Sequence, residues 1–184
     1  MPAKRAADGA AKKAADKLVH PANDLRLAYE HLGRIEILEG ALAGSPFVDV
    51  AALANLAQQQ LGAEKTQNAA ELLRAAEHLC FATLAPAQVT DSLMNAELKQ
   101  AITAEFEGVM RRAEEHWVDV DEPASHRVIE DLFARALDQA RRAFTRGAFR
   151  PALEFARAAE ALSEVGEGLP ATLPERGLMG RLAS

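Results

Sequence analysis

Apolar residues recur every three or four positions along most of the chain between residues 21 and 165, and short segments containing Gly or Pro interrupt them. This spacing places apolar side chains along one face of an α-helix. Ala and Leu, both strong helix formers, dominate the apolar residues, whereas aromatic residues make up only 5% of the chain. Strands need alternating runs of β-branched and aromatic residues, and none is longer than 118–120. The sequence therefore predicts an all-α protein.

The interruptions divide the chain into about six long helices, of which the fourth should be the longest. Asn23 and Thr90 are suited to cap helices, and Ser45 with Pro46 is typical of a cap followed by a first turn. The predicted helices cover approximately residues 24–42, 46–61, 64–84, 90–117, 125–144 and 150–165. Because short turns make neighbouring helices antiparallel, we expect about three helix hairpins, arranged as a bundle or a short helical-repeat array.

Two terminal segments differ in composition from the predicted helical domain at residues 21–165. Residues 1–20 form a basic arm with five Lys or Arg against two Asp, which is either a solvated tail or a contact for nucleic-acid phosphates. Residues 166–184 form a tail rich in Gly and Pro. This tail is either loosely packed or docks on a partner, in which case Leu178 and Met179 are candidate contacts.

Composition also limits the environment and the class of partner. Cys80 is the only cysteine, so it cannot form an intramolecular disulfide, and no apolar stretch reaches the roughly 18 residues that span a bilayer. The first residues lack the apolar segment of a secretory signal. The net charge of −6 argues against a general nucleic-acid coat. We expect a cytoplasmic protein that does not bind membranes.

Motifs for catalysis, metals and cofactors are absent from the sequence. Carboxylate-bridged metal sites in helical bundles use Glu-x-x-His, but in this chain Glu and His occur as adjacent pairs, whose side chains diverge by about 100° around a helix. These pairs are Glu30 with His31, Glu77 with His78, and Glu115 with His116. The chain also lacks a Gly-rich phosphate loop and a nucleophile elbow. We expect no cofactor and no metal, and the sequence favours a protein without catalytic activity.

One short pattern recurs in the chain: Ala, any residue, Glu, His or Ala, and then Leu or Trp. It begins at Ala28, Ala75, Ala113 and Ala158, and successive glutamates lie 47, 38 and 45 residues apart. These intervals fit two-helix repeats, although the residue types are common in any helix. The pattern indicates either a helical repeat or a coincidence.

The segment 133–162 resembles a single tetratricopeptide repeat. In that family small residues let the two helices of a hairpin approach closely, and an aromatic residue fills the base of the hairpin. The matching positions are Ala140, Gly147, Phe149, Ala152, Ala156 and Ala159. The resemblance implies a helical hairpin of the repeat type.

The same segment is similar to the opening hairpin of HEPN domains, helical bundles whose second helix typically contains Ala-Ala-Glu. This tripeptide occurs at residues 158–160 and again at 75–77. Many catalytic HEPN proteins place Arg and His four to six residues apart on a later helix to cut RNA, and Arg111 and His116 have four residues between them. The resemblance implies RNA binding or cleavage, with Arg111 and His116 as the catalytic residues.

Four further side chains are candidates for partner binding. Trp117 either packs in the core or anchors a partner, since Trp is favoured at interfaces. Arg142, Arg146 and Arg150 can form a basic ridge for an acidic partner or a phosphate, unless neighbouring carboxylates neutralise it.

These observations favour a non-catalytic helical scaffold that mediates protein–protein interaction or homo-oligomerisation. Its mechanism would be the packing of an exposed apolar helix face against another chain, and a homodimer is plausible. The alternative is a HEPN-like protein that binds or cleaves RNA, and a small-ligand sensor is a third possibility.

Overall fold

A computed structural model describes residues 21–41, 48–85, 95–118 and 127–166, and these form six α-helices without a strand. The helices are α1 (Pro21–Ala41), α2 (Val48–Gly62), α3 (Thr66–Leu84), α4 (Ala96–Val118), α5 (Arg127–Thr145) and α6 (Phe149–Ser163). The predicted all-α fold is confirmed. Within the described residues, no helix combines the length and the apolar character needed to cross a membrane.

The helix boundaries differ from the predictions mainly at the first residues. Helix α1 already begins at Pro21, so Asn23 lies in its first turn and does not cap it; proline is well suited to a first turn because its missing N–H needs no partner there. At α4, the Asn95 side chain accepts a hydrogen bond of 2.8 Å from the Leu98 N–H. The predicted cap Thr90 lies outside the described residues. With 23 residues, α4 is the longest described helix, as predicted.

The two tight hairpins join α2 to α3 and α5 to α6, and each has a turn of only three residues. Helix α1 packs against α3, and α4 packs against α6. Helices α4 and α6 are parallel, because Glu105 and Arg112 of α4 pair with Arg157 and Glu160 of α6 in the same order. Helices α1 and α3 are parallel as well, because Asp24 lies near Glu71 and His31 bonds to Glu77. The chain is therefore built from two three-helix units, α1–α3 and α4–α6.

The two units meet where α3 crosses α6. The side chain of Asn68, near the start of α3, accepts a hydrogen bond of 2.8 Å from the Gly166 N–H, just beyond the end of α6. His78, further along α3, contacts Glu154 near the start of α6 at 2.8 Å. The two helices are therefore antiparallel. Completely buried alanines lie between these contacts on both helices, and two adjacent ones on each helix belong to the repeated Arg-Ala-Ala-Glu sequence; such small residues allow helices to pack closely. The adjacent alanines are Ala75, Ala76, Ala158 and Ala159.

The two hairpins are an internal repeat with a constant offset of 83 residues. The pattern Ala-x-Glu-x-x-Arg-Ala-Ala-Glu-x-Leu occurs at residues 69–79 and again at 152–162. The turns repeat as well. The Lys65 N–H donates to the Gln60 carbonyl at 2.9 Å, and the equivalent N–H and carbonyl at residues 148 and 143 are also 2.9 Å apart. The short recurring pattern seen in the sequence is thus part of a longer repeat at two of its four positions.

The same repeat relates the backbone conformations of the two turns. Gly147 has a φ of 75°, as suits a turn glycine, and the equivalent residue Glu64 has a φ of 58°. Left-handed conformations are unfavourable for residues with a Cβ. The turn around Glu64 therefore reproduces the glycine turn without the glycine.

Buried apolar residues from all six helices form one core. Phe144 is half-buried and packs against this core, with its ring centroid 4.2 Å from that of Phe106 and 5.2 Å from that of Phe149. Such stacked and edge-on pairs stabilise a core beyond the area that they bury. Cys80 is completely buried and packs in this core.

Candidate interaction surface

Arg111 and His116 do not lie together in one chain. They are five positions apart on α4, so their side chains diverge by about 140° around the helix. Arg111 is exposed and has its Nη1 atom 3.9 Å from Glu115 Oε1, whereas the His116 Nδ1 atom lies 3.7 Å from Glu164 Oε1. A site that used both side chains on one phosphate would therefore need a second chain.

Trp117 is half-buried and packs against the core. Its ring stacks on Phe133 at a centroid distance of 4.3 Å, with the two planes only 10° apart. This contact joins the end of α4 to α5. Of the two predicted roles for Trp117, the structure shows the packing contact.

The predicted basic ridge is partly neutralised by its own helices. Arg142 pairs with Asp138 at 2.9 Å, and Arg150 pairs with Glu154 at 3.2 Å. Arg146 is exposed and has no ion-pair partner among the described residues. The other predicted contacts, Leu178 and Met179, lie outside the described residues.

Glu77 on α3 is a buried carboxylate that holds α1 in place. It bonds to His31, and its Oε1 atom lies 2.7 Å from Nε of Arg34. Burial alone would raise the pKa of Glu77, but the hydrogen bonds and charges of His31 and Arg34 outweigh it, so this pKa is lowered. The ionised carboxylate thus links α3 to α1, two helices that no short turn connects.

Glu154 on α6 has the corresponding role at the crossing of the two units. Its carboxylate contacts His78 of α3 and also accepts hydrogen bonds from Arg150 and Arg157. The side chain is only 3% exposed, and burial opposes its ionisation. The neighbouring His78, Arg157 and Arg150 more than offset this cost, and the pKa of Glu154 is lowered.

Glu71 on α3 has the opposite electrostatic environment. Burial raises its pKa to about 7, and the nearby carboxylates of Glu164, Asp24 and Glu160 add to this increase. The Arg74 guanidinium, whose Nε atom lies 2.9 Å from the Glu71 Oε2 atom, acts in the opposite direction. Three or more side chains in a metal-binding arrangement do not occur anywhere in the described part of the chain. The clustered ionisable groups here lie at helix contacts.

On the outer face of α1 the exposed charged residues Arg26 and Glu36 flank a row of exposed positions without charge, Leu25, Tyr29, Gly33 and Ile37. The four uncharged residues follow one another at intervals of four, so they form a continuous stripe along the helix. The exposed fractions are 38% for Leu25, 61% for Tyr29 and 77% for Ile37. The opposite face of α1 carries Ala28 and packs into the core. Helix α1 thus has two apolar faces, and α3 covers only one of them.

Sequence reasoning from helical spacing did not assign Leu25, which is 38% exposed, to one face of this helix. It did not single out Tyr29 or Ile37. The regular interval of four from Leu25 to Ile37 was the available signal. Two apolar stripes at helical spacing overlapped, and only the position of α3 decides which one is buried.

Helix α4 provides an internal comparison, since it occupies the same place in the second three-helix unit. Its exposed positions are mostly charged, and Leu98, at 46%, is the only large apolar side chain exposed in its described part. An edge helix of this scaffold can therefore be solvated by charged residues. The apolar outer face of α1 is not a requirement of the fold.

Comparison of the chain with protein-family models, with curated proteins and with solved structures gives no match. The tetratricopeptide-like and HEPN-like resemblances therefore stay predictions.

Proposed function

We propose that this protein is a non-catalytic helical scaffold that binds a protein chain through the outer face of α1. The observation that carries this proposal is the continuous exposed stripe from Leu25 to Ile37 on a helix whose other face is packed. Covering exposed apolar surface contributes about 25 cal/mol for each Å² removed from water. A contiguous exposed apolar stripe is typical of an interaction site.

The composition of the stripe suits recognition as well as burial. Tyr29 combines a large apolar ring with a hydroxyl group, and tyrosine is enriched among the side chains that dominate binding energy. Helix α1 is held in place by the buried contacts of Glu77 with His31 and Arg34. The stripe is therefore presented by a helix with a defined orientation, which lowers the entropic cost of binding.

The test compares protein capture by the wild type with capture by a variant in which the stripe is interrupted. Ile37→Glu places a charge at its most exposed apolar position, and Leu98→Glu is the matched control on α4. We expect proteins captured by the wild type and by Leu98→Glu to be lost with Ile37→Glu, as read by quantitative mass spectrometry. Circular dichroism should show the same helix content in all three proteins. Equal capture by all three would contradict the proposal.

RNA cleavage, the alternative prediction, has less support from the geometry. In one chain Arg111 and His116 interact with different carboxylates, Glu115 and Glu164. Concerted action on a scissile phosphate requires a charge-stabilising group and a proton-transfer group within reach of the same atoms. RNA cleavage by the wild type that is abolished by His116→Ala would establish this alternative in place of the scaffold function.

A further inference from the structure

We propose that the chain bound at the outer face of α1 is a second copy of this protein, packed antiparallel along the same stripe. This inference rests on the proposed function and names its partner. It derives from the shape, the order of residues and the charges of the stripe itself.

The stripe contains a gap at Gly33. A Cβ atom placed on this glycine would meet nothing within 4 Å, so the backbone is open to the surface at this point. The large and most protruding side chains of the stripe, Tyr29 and Ile37, lie one turn to either side. The surface is therefore a notch between two projections, and a facing helix can enter the notch.

The order of residues makes the stripe complementary to itself in one direction only. In an antiparallel pair centred at the level of residue 31, Tyr29 of one copy lies level with Gly33 of the other, and Leu25 lies level with Ile37. Each aromatic ring then faces a glycine notch. A parallel pair would instead place ring against ring and notch against notch, which leaves the gap unfilled.

Two of the exposed charges of α1 follow the same arrangement, although Arg26 also pairs with Glu30 of its own helix. Arg26 and Glu36 lie five residues to either side of the same centre, so the antiparallel pair brings the arginine of one copy level with the glutamate of the other. The antiparallel arrangement also places the dipoles of the two α1 helices in opposite directions, which is electrostatically favourable. In a twofold interface of this kind every contact occurs twice, because the same stripe of both copies is buried.

The first experiment measures the mass of the purified full chain in solution by sedimentation equilibrium over a wide range of concentration. We expect a monomer–dimer equilibrium for the wild type and for Leu98→Glu. Ile37→Glu should weaken the dimer by roughly a hundredfold or more, because each dimer loses two buried isoleucines and gains two desolvated carboxylates. Gly33→Leu, which fills the notch, should weaken it by at least roughly tenfold.

The second experiment tests the direction of the pair with cysteine variants in which Cys80 is replaced by Ala. We expect an equimolar mixture of Tyr29→Cys and Gly33→Cys to form mainly the mixed disulfide on mild oxidation. Predominant homodisulfides of each variant would overturn the antiparallel arrangement, since a parallel pair places identical residues together.

Failure of this inference can be told apart from failure of the proposed function. A wild-type protein that is monomeric at all concentrations, while its capture of another protein still depends on Ile37, overturns the self-association and leaves the scaffold function intact. A monomeric wild type whose protein capture is independent of Ile37 overturns both.

Discussion

Glu71 and Glu154 occupy the same position of the internal repeat, 83 residues apart, yet their pKa values shift in opposite directions. The antiparallel crossing of α3 and α6 explains the difference. His78 contacts Glu154 across the crossing, and the residue equivalent to His78 in the second copy is Ala161. Glu71 therefore lacks the imidazole that the repeat provides to Glu154.

The first prediction concerns the effect of pH on stability through Glu71. Because its pKa is about 7 in the folded protein and near 4.5 when unfolded, the folded state binds the proton more tightly. Its contribution therefore favours folding below pH 4.5 and is lost as pH rises towards 7, by about 3 kcal/mol in total. We expect Glu71→Gln to be more stable than the wild type at pH 8, and this advantage to shrink towards pH 5. Urea unfolding at several pH values measures this.

Glu154→Gln is the matched control for that experiment. Since the pKa of Glu154 is lowered, its ionised form contributes stability above the unfolded pKa, and this contribution is lost as pH falls through the folded pKa. Glu154→Gln should therefore be less stable than the wild type at pH 7, with a difference that narrows in acid. The same pH dependence in both variants would contradict the assigned environments.

The turns of the two hairpins lead to the second prediction. Glu64 adopts a φ of 58°, where its repeat equivalent is Gly147. Left-handed backbone is strained for a residue with a Cβ, so Glu64→Gly should stabilise the protein by about 0.5–1 kcal/mol. Gly147→Ala should destabilise it by about 1 kcal/mol, although the space around Gly147 is open. Thermal unfolding of the two variants should show melting temperatures that change in opposite directions.

The alanine contact between α3 and α6 leads to the third prediction. Ala158 is completely buried, and it lies one turn beyond Glu154, which contacts His78 of α3. A larger side chain must separate the helices, so Ala158→Leu should lower the free energy of unfolding by at least about 1–3 kcal/mol. Ala104→Leu, at an exposed position of α4, is the matched control and should be nearly neutral. Denaturant titrations that rank these two variants equally would argue against the crossing.

The sequence was sufficient to predict helices, because periodicity and turn residues are local properties. Gly147 marks its turn correctly, and the buried Cys80 follows from the apolar face of α3. The partners of each helix are not local. Helix α1 packs mainly on α3 and not on α2, its neighbour in the sequence. The length of the segment that connects two helices therefore does not predict which helix α1 packs against.

The candidate site was missed for a related reason. Both apolar stripes of α1 have helical spacing, and Leu25 could be assigned to either. Only the contact of α3 with the face that contains Ala28 leaves the other stripe exposed. The internal repeat was partly visible, but its full length is clear only when the equivalent turns at residues 64 and 147 are aligned.

Trp117 and Ile37 are two large apolar side chains that are candidates for partner binding. Variants of each distinguish a role in packing from a role in binding, which is the fourth prediction. Trp117 stacks on Phe133, so Trp117→Ala should lower the free energy of unfolding by about 2–3 kcal/mol, less than the ~3–5 kcal/mol expected for a fully buried aromatic residue. It should leave partner capture and self-association unchanged under conditions where the variant is folded. Ile37→Glu should show the reverse, because Ile37 is mostly exposed and its loss removes little from the core. Urea titration and sedimentation equilibrium on both variants measure the two properties independently. Loss of association in folded Trp117→Ala, with normal association in Ile37→Glu, would move the interaction surface from α1 to the end of α4.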